Sequence, residues 1–239
     1  DRAARPPDFR RRFPDEPVPH EVLAELDRAA ERRDIYLDLA DPPEANLPYT
    51  PLSDLQSATA ILRETLGVDV ARQTRWTASE NFLKYWIDAV EATGVLVFQM
   101  SRVAPEACQG FALFHDVTPV IVLNAGDSKE VRTFTLFHEL AHLLTRSGGV
   151  CHTHSGNETE RRCNAFAAEF LMPQAVFARE VDQAAPVAQI PALARRFHVS
   201  YSAVAVRLRT LGYINQETLG ELLETSAAKA LETREADRR

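Results

Sequence analysis

The chain has 239 residues, 45% of them apolar and 26% charged. That balance excludes wholesale disorder and gives enough apolar material for one large domain, or a domain with a small appendage. A net charge of −7 argues against an electrostatic grip on nucleic acid across the whole surface, while leaving room for a local basic patch.

Residues 1–18 are rich in Arg and Pro and read as a linker or extended arm. A helical pattern follows over His20 to Leu39, with Val22, Leu23, Leu26, Ala29 and Ala30 on one face, and stops at Asp41-Pro42-Pro43. Helices are also predicted from Ser53 to Leu66, ending at Gly67, and from Ser79, as N-cap, to Ala92, closing at Gly94. The period then changes. Val95 to Phe98, Gly110 to Phe114 and Val120 to Leu123 are short β-type runs, which predict a small antiparallel or mixed sheet.

Asp127 stands three residues before Glu130, as in a capping box, and predicts a helix from Ser128 to Arg146 that stops at Gly148-Gly149. Ser155 with Glu158 repeats the signal for a helix reaching Leu171, and Pro173 suits the first turn of the next one. Ile190 to Phe197 and Ser200 to Leu211 read as two helices joined by a tight turn at His198-Val199, with a last helix from Asn215 to about Glu232. A charged, frayed end is expected at Arg234 to Arg239. The expected division is an arm over 1–18, a main domain over 19–185, and a helical C-terminal region with a helix-turn-helix-like segment over 186–239.

Chemistry concentrates in His138-Glu139-Leu140-Ala141-His142. Histidines four residues apart on a helix lie about 40° apart around its axis, so both imidazoles reach one metal ion. Glu139 is displaced by about 100°, which lets it approach a water at that metal without competing as a ligand. Two helical histidines can also merely satisfy hydrogen bonds in a core. The context favours the metal, because the motif lies in a capped helix with an apolar face.

A catalytic zinc usually takes three protein ligands. Glu160 competes for the third place with Glu158, Cys151, His152, His154, Cys163 and Glu169. Chemistry alone favours Glu160 only slightly over the loop histidines. Cys163 also reads as a small core residue.

The stretches Arg132 to His142 and Glu160-Arg161-Arg162-Cys163-Asn164-Ala165-Phe166-Ala167-Ala168-Glu169-Phe170-Leu171-Met172-Pro173 resemble the ImmA/IrrE family of metallopeptidases. The likeness is strong over residues 94 to 175 and weaker through Leu193 to Ser200 and on to Ile214. It puts Glu160 on the glutamate of the family pattern, beside His138 and His142 as metal ligands and Glu139 as general base. The implied fold is α+β, a small mixed or antiparallel three-stranded sheet packed on a zincin-like HExxH helix, with a mostly helical C-terminal part. The implied cofactor is Zn2+, with Mn2+ or Fe2+ as alternatives for such a donor set. Asp8-Phe9-Arg10 resembles a linker after an N-terminal DNA-binding domain, so a longer natural protein is expected.

The resemblance implies a regulated, site-specific endopeptidase that cleaves a transcriptional repressor and so switches on stress-response or mobile-element genes. Arg132, His115, Tyr201 and Tyr213 are candidates to steady the oxyanion. The strand Val120 to Leu123, were it a sheet edge, would let an extended substrate pair beside the metal. Asn124 has a duller expected role, capping the turn into the helix. The alternatives are a non-proteolytic regulator that holds DNA or a repressor through its tail, where Arg195, Arg196, Arg207 and Arg209 supply charge, and a degenerate member that binds metal without cleaving. Three cysteines, Cys108, Cys151 and Cys163, are no disulfide framework and fit a reducing cytoplasm. A redox gate at Cys151 and Cys163 is a further idea. No apolar run is long enough for a membrane span and no signal pattern is visible, although the chain begins at Asp1.

Overall fold

The computed structural model describes residues 18–40, 45–77, 81–146 and 156–237. Along the chain run α1 (His20–Leu39), α2 (Leu55–Leu66), α3 (Val70–Gln73), α4 (Phe82–Glu91), β1 (Leu96–Met100), β2 (Gly110–Leu113), β3 (Val120–Asn124), α5 (Lys129–Leu144), α6 (Gly156–Leu171), α7 (Gln174–Glu180), a 3-10 turn at Val187–Gln189, α8 (Ile190–Phe197), α9 (Tyr201–Thr210) and α10 (Gln216–Asp237). The architecture is α+β. Residues 1–17 of the Pro/Arg arm, Ser79, the Gly148-Gly149 stop, Ser155 and the loop with Cys151, His152 and His154 lie outside the described residues.

Local chemistry sets several boundaries. Asp54 caps α2 through the Gln56 and Ser57 amides, and Gly67 closes it in the left-handed region at φ 64°. Asn81 caps α4. The start of α5 differs from the capping-box expectation. Ser128, not Asp127, accepts from the third amide of the helix, at 3.3 Å from Val131 N. Asp127 is held back in a turn by its amide, which donates to Asn124 O. The short α3 carries no apolar period of its own, and Asp69 caps it.

The sheet is mixed, in the order β1-β3-β2. β1 runs parallel to β3 from Leu96↔Val120 to Met100↔Asn124, and β2 runs antiparallel to it from Gly110↔Leu123 to Leu113↔Val120. The β3 strand is therefore central and paired on both sides. That overturns the expectation of a free edge there: its main-chain groups are already spent. The continuous Val-Ile-Val-Leu run is what a strand covered on both faces requires. Val120 and Val122 pack with Val22, Leu26 and Ala29 of α1, whereas Ile121 and Leu123 face the larger core with Leu136, Phe137 and Leu140 of α5. Asn124 is wholly buried at the end of the strand. Its Nδ2 donates to Val103 O and Cys108 O, and its Oδ1 accepts from Gly126 N. It ties the β1–β2 loop to the turn that leads into α5.

From Thr135 to Leu144 every residue of α5 is buried. A helix enclosed all round belongs to a core, and here the sheet lies against one side and α6 against the other. Phe137 stacks on Phe170 of α6 with centroids 4.1 Å apart and meets Trp86 of α4 edge-on at 4.9 Å. Side chains from three other elements take up carbonyls at the C-terminal end of α6 and just beyond it. Arg63 donates to Phe170 O, Gln73 Nε2 to Leu171 O at 2.9 Å, and Arg207 Nε to Met172 O at 3.1 Å. Two cations at that end also suit the helix dipole. Arg63 lies over the Phe170 ring, 4.3 Å from its centroid, and burial lowers its pKa to about 10. Ile190, Leu193, Phe197, Val204 and Leu208 of α8 and α9 enter the same apolar core as α5 and α6.

Candidate metal centre

The packing of α6 on α5 brings three donor side chains together. His138 and His142, one turn apart on α5, are 1% and 6% exposed. Their Nε2 atoms lie 3.2 Å apart. Glu160, in the second turn of α6, faces both, with Oε2 at 3.2 Å from His138 Nε2 and Oε1 at 3.1 Å from His142 Nε2. These three residues are a group able to hold a metal ion. The spacing tests that fit. Donors at about 2.0–2.1 Å from a tetrahedral zinc stand roughly 3.3 Å from one another. The observed triangle has that edge length, and two imidazoles with a carboxylate are a donor set zinc accepts.

Glu139 is 1% exposed on the side of α5 that faces β2. A Cβ placed on Gly110 of β2 would lie 3.8 Å from its Cγ. Its carboxylate is close enough to act electrostatically on His142 and on Cys163. The other nitrogens of the two histidines also meet α6: His138 Nδ1 lies 3.0 Å from Asn164 Oδ1, and His142 Nδ1 lies 3.6 Å from Cys163 Sγ. Burial works against a charge on His142. Its hydrogen bonds with Cys163 and Glu160 and the charge of Glu139 outweigh that and hold the pKa up at about 11. Burial pushes the Cys163 thiol up, against the pull of His142.

Residues 90–209 match the IrrE N-terminal-like domain, a peptidase family. That match spans half of the sequence and contains all four of these residues. The chain belongs to the ImmA/IrrE family. No curated protein matches it. Among solved structures, a Mycobacterium tuberculosis transcriptional regulator aligns at 20% identity with a TM-score of 0.49, over 76% of this chain and 52% of that one. The chain therefore spans about half the length of that regulator.

The other residues weighed for this ImmA/IrrE chain fall in different places. Glu169 is buried at the far end of α6 in an ion pair with Arg207. Glu158 pairs with Arg162 at the surface. Cys163 faces His142 from the nitrogen that points away from the donor triangle, so its thiol stands outside the metal group. Arg132 reaches back to Gln99 Oε1 on β1 at 3.0 Å. His115 lies beyond β2, where burial and the charge of Arg33 lower its pKa. Tyr213 packs against the main core. Tyr201 lines a cleft of about 1280 Å3 between α6 and α9, which Asn164, Ala165, Ala168 and Val206 also line. Sequence reading gave Asn164 no task. The signal that would have found it is the spacing Glu160, Cys163, Asn164, which puts all three on one face of a helix.

Of the four tail arginines, Arg207 is buried against Glu169 and Arg196 pairs with Glu180 at 2.9 Å. Among the described residues, no helix is long and apolar enough to cross a membrane.

Proposed function

We propose that this chain is a zinc-dependent endopeptidase of regulatory type, whose substrate is a transcriptional repressor cut at a specific site. The observation that carries the reading is the triangle of His138 Nε2, His142 Nε2 and the Glu160 carboxylate, with edges of 3.1–3.2 Å, beside buried Glu139. His138, His142 and Glu160 hold the metal. Zinc there supplies Lewis acidity toward a water and toward the scissile carbonyl. The Glu139 carboxylate takes the proton of the attacking water and passes it to the leaving amine nitrogen. Burial of Glu139 and the histidines keeps bulk water from competing for that proton. Asn164, next to His138, also lines the cleft of about 1280 Å3 between α6 and α9, although His138, Glu139, His142 and Glu160 do not.

The repressor as substrate rests on family membership, as does a link to stress-response or mobile-element genes. A reducing cytoplasm suits a site with buried thiols. Manganese or iron also suits the donor set. The reading as a DNA-holding regulator is weakened by the tail itself, because ion pairs engage two of its four arginines and α9 is packed into the fold.

Elemental analysis combined with cleavage of candidate repressors tests the proposal. The unmodified chain carries about one zinc and cuts its repressor at one bond. Glu160→Ala loses the metal, while Glu139→Gln keeps it and loses roughly 10²–10⁴-fold in cleavage rate. A chain that takes up no zinc when it is supplied, or a Glu139→Gln variant that cuts at the native rate, overturns the reading.

A further inference from the structure

We infer that Cys163 and Asn164 are the positioning residues of the two histidines: together they fix which nitrogen of each ring bears the proton and so aim both Nε2 lone pairs at one point. The inference rests on the metal site proposed above. Glu160, Cys163 and Asn164 stand at i, i+3 and i+4 on α6, so they present one face to α5. His138 and His142 stand at i and i+4 on the facing side of α5. At this seam three residues of α6 therefore meet the two histidines. Glu160 lies across both Nε2 atoms, Asn164 Oδ1 is 3.0 Å from His138 Nδ1, and Cys163 Sγ is 3.6 Å from His142 Nδ1.

A neutral imidazole has one N–H and one lone pair, and the partner of one nitrogen decides the role of the other. Asn164 Oδ1 only accepts, so it requires a proton on His138 Nδ1 and leaves the Nε2 lone pair toward His142 and Glu160. The Cys163 sulfur is a weaker acceptor; with its S–H turned away it takes the Nδ1 proton of His142 and leaves that Nε2 lone pair inward as well. The opposite tautomers would point two N–H groups at the metal position and weaken the site. Partners in this outer position typically change metal affinity by about 10–100-fold. One helix thus supplies a ligand and both orienting groups, so the site assembles only when α6 is seated on α5.

Asn164 is exposed and lines the cleft, so its replacement removes no core packing. Cys163 is fully buried, and the conservative Cys163→Ser keeps its shape and an acceptor at a slightly smaller volume. The experiment measures the zinc Kd of the full chain by competition with a chromophoric chelator. It also records long-range 1H–15N correlations of the zinc-loaded histidine rings. Asn164→Leu should weaken zinc binding by about 10–100-fold, Asn164→Asp should match or exceed the native affinity, and Cys163→Ser should stay within a few-fold of it. Both ring protons should appear on Nδ1 in the unmodified chain. A proton on Nε2 of either histidine overturns the inference, and so does an Asn164→Leu affinity within about threefold of native. Failure of the unmodified chain to bind zinc is a separate result and strikes the underlying metal site instead.

Discussion

The guanidinium of Arg207 in α9 is buried against the carboxylate of Glu169 in α6, with its Nε donating to Met172 O at 3.1 Å. Glu169 in turn accepts from Gln174 N at 3.1 Å. This pair adds a polar tie between α9 and the helix that carries Glu160, beside the apolar core they share. Removing one partner of a buried pair leaves an uncompensated charge and costs about 3–5 kcal/mol, whereas replacing both with apolar residues of similar volume is far cheaper. Arg207→Met should therefore lower the unfolding free energy by that amount in urea titrations. The Arg207→Met, Glu169→Leu double variant should recover most of it. Equal losses in the single and double variants would show that the pair adds no such tie.

Gly110 allows β2 to lie against α5. A Cβ there would stand 2.5 Å from Thr135 Cγ2 and 2.8 Å from Val122 O, the latter a main-chain atom that cannot swing away. Gly110→Ala should destabilise the fold by about 1–3 kcal/mol, as overpacking does. The same Cβ would stand 3.8 Å from Glu139 Cγ, an ordinary van der Waals contact, so Glu139 keeps its place. Thermal unfolding with and without zinc measures the loss. Native stability in Gly110→Ala would mean that the strand has room to move.

Binding to the folded state alone stabilises it by mass action. With zinc at 1,000 times its Kd, the gain is about 4.1 kcal/mol. Chelation should therefore lower Tm by several degrees in the unmodified chain and leave the Tm of Glu160→Ala unmoved. An equal shift in both would indicate that the chelator acts elsewhere.

His115 supplies a pH-dependent contribution. Its ordinary pKa is 6.5, and in the fold it lies lower, because burial and Arg33 disfavour its charge while Asp34 and Asp116 oppose them only in part. Between the lowered value and 6.5 the unfolded chain binds more protons than the native one, so stability rises with pH there. The contribution is present above 6.5 and is lost as pH falls through the folded value. His115→Gln should flatten the stability profile below pH 6.5 in denaturant titrations. An unchanged slope would show that other groups carry it.

Several features were legible in the residue order because their causes are local. The HExxH spacing, the apolar stripe from His20 to Leu39, Gly67 as a helix stop and the three β-type runs each depend on neighbours within a few positions. The mixed sheet was also within reach. Which strand is central was not, because pairing order depends on how β1, β2 and β3 fold over one another, and the apolar run at Val120 to Leu123 reads equally well as an edge beside the helix. The capping box at Asp127 misled by one residue, since a buried turn at Asn124 holds Asp127 out of the helix.

Residue order by itself determined that His138 and His142 share one side of a helix and that Glu139 is turned away from them, because a helix fixes those angles whatever surrounds it. The family resemblance already picked Glu160 out of the residue order; tertiary structure adds that it stands against both histidines while Glu158 and Glu169 do not, and that Cys163 and Asn164 face the outer nitrogens. The physical reason is distance along the chain. The C-terminal end of α6 is held by Arg63, Gln73 and Arg207, through bonds that span 107, 98 and 35 positions, and no local pattern encodes them.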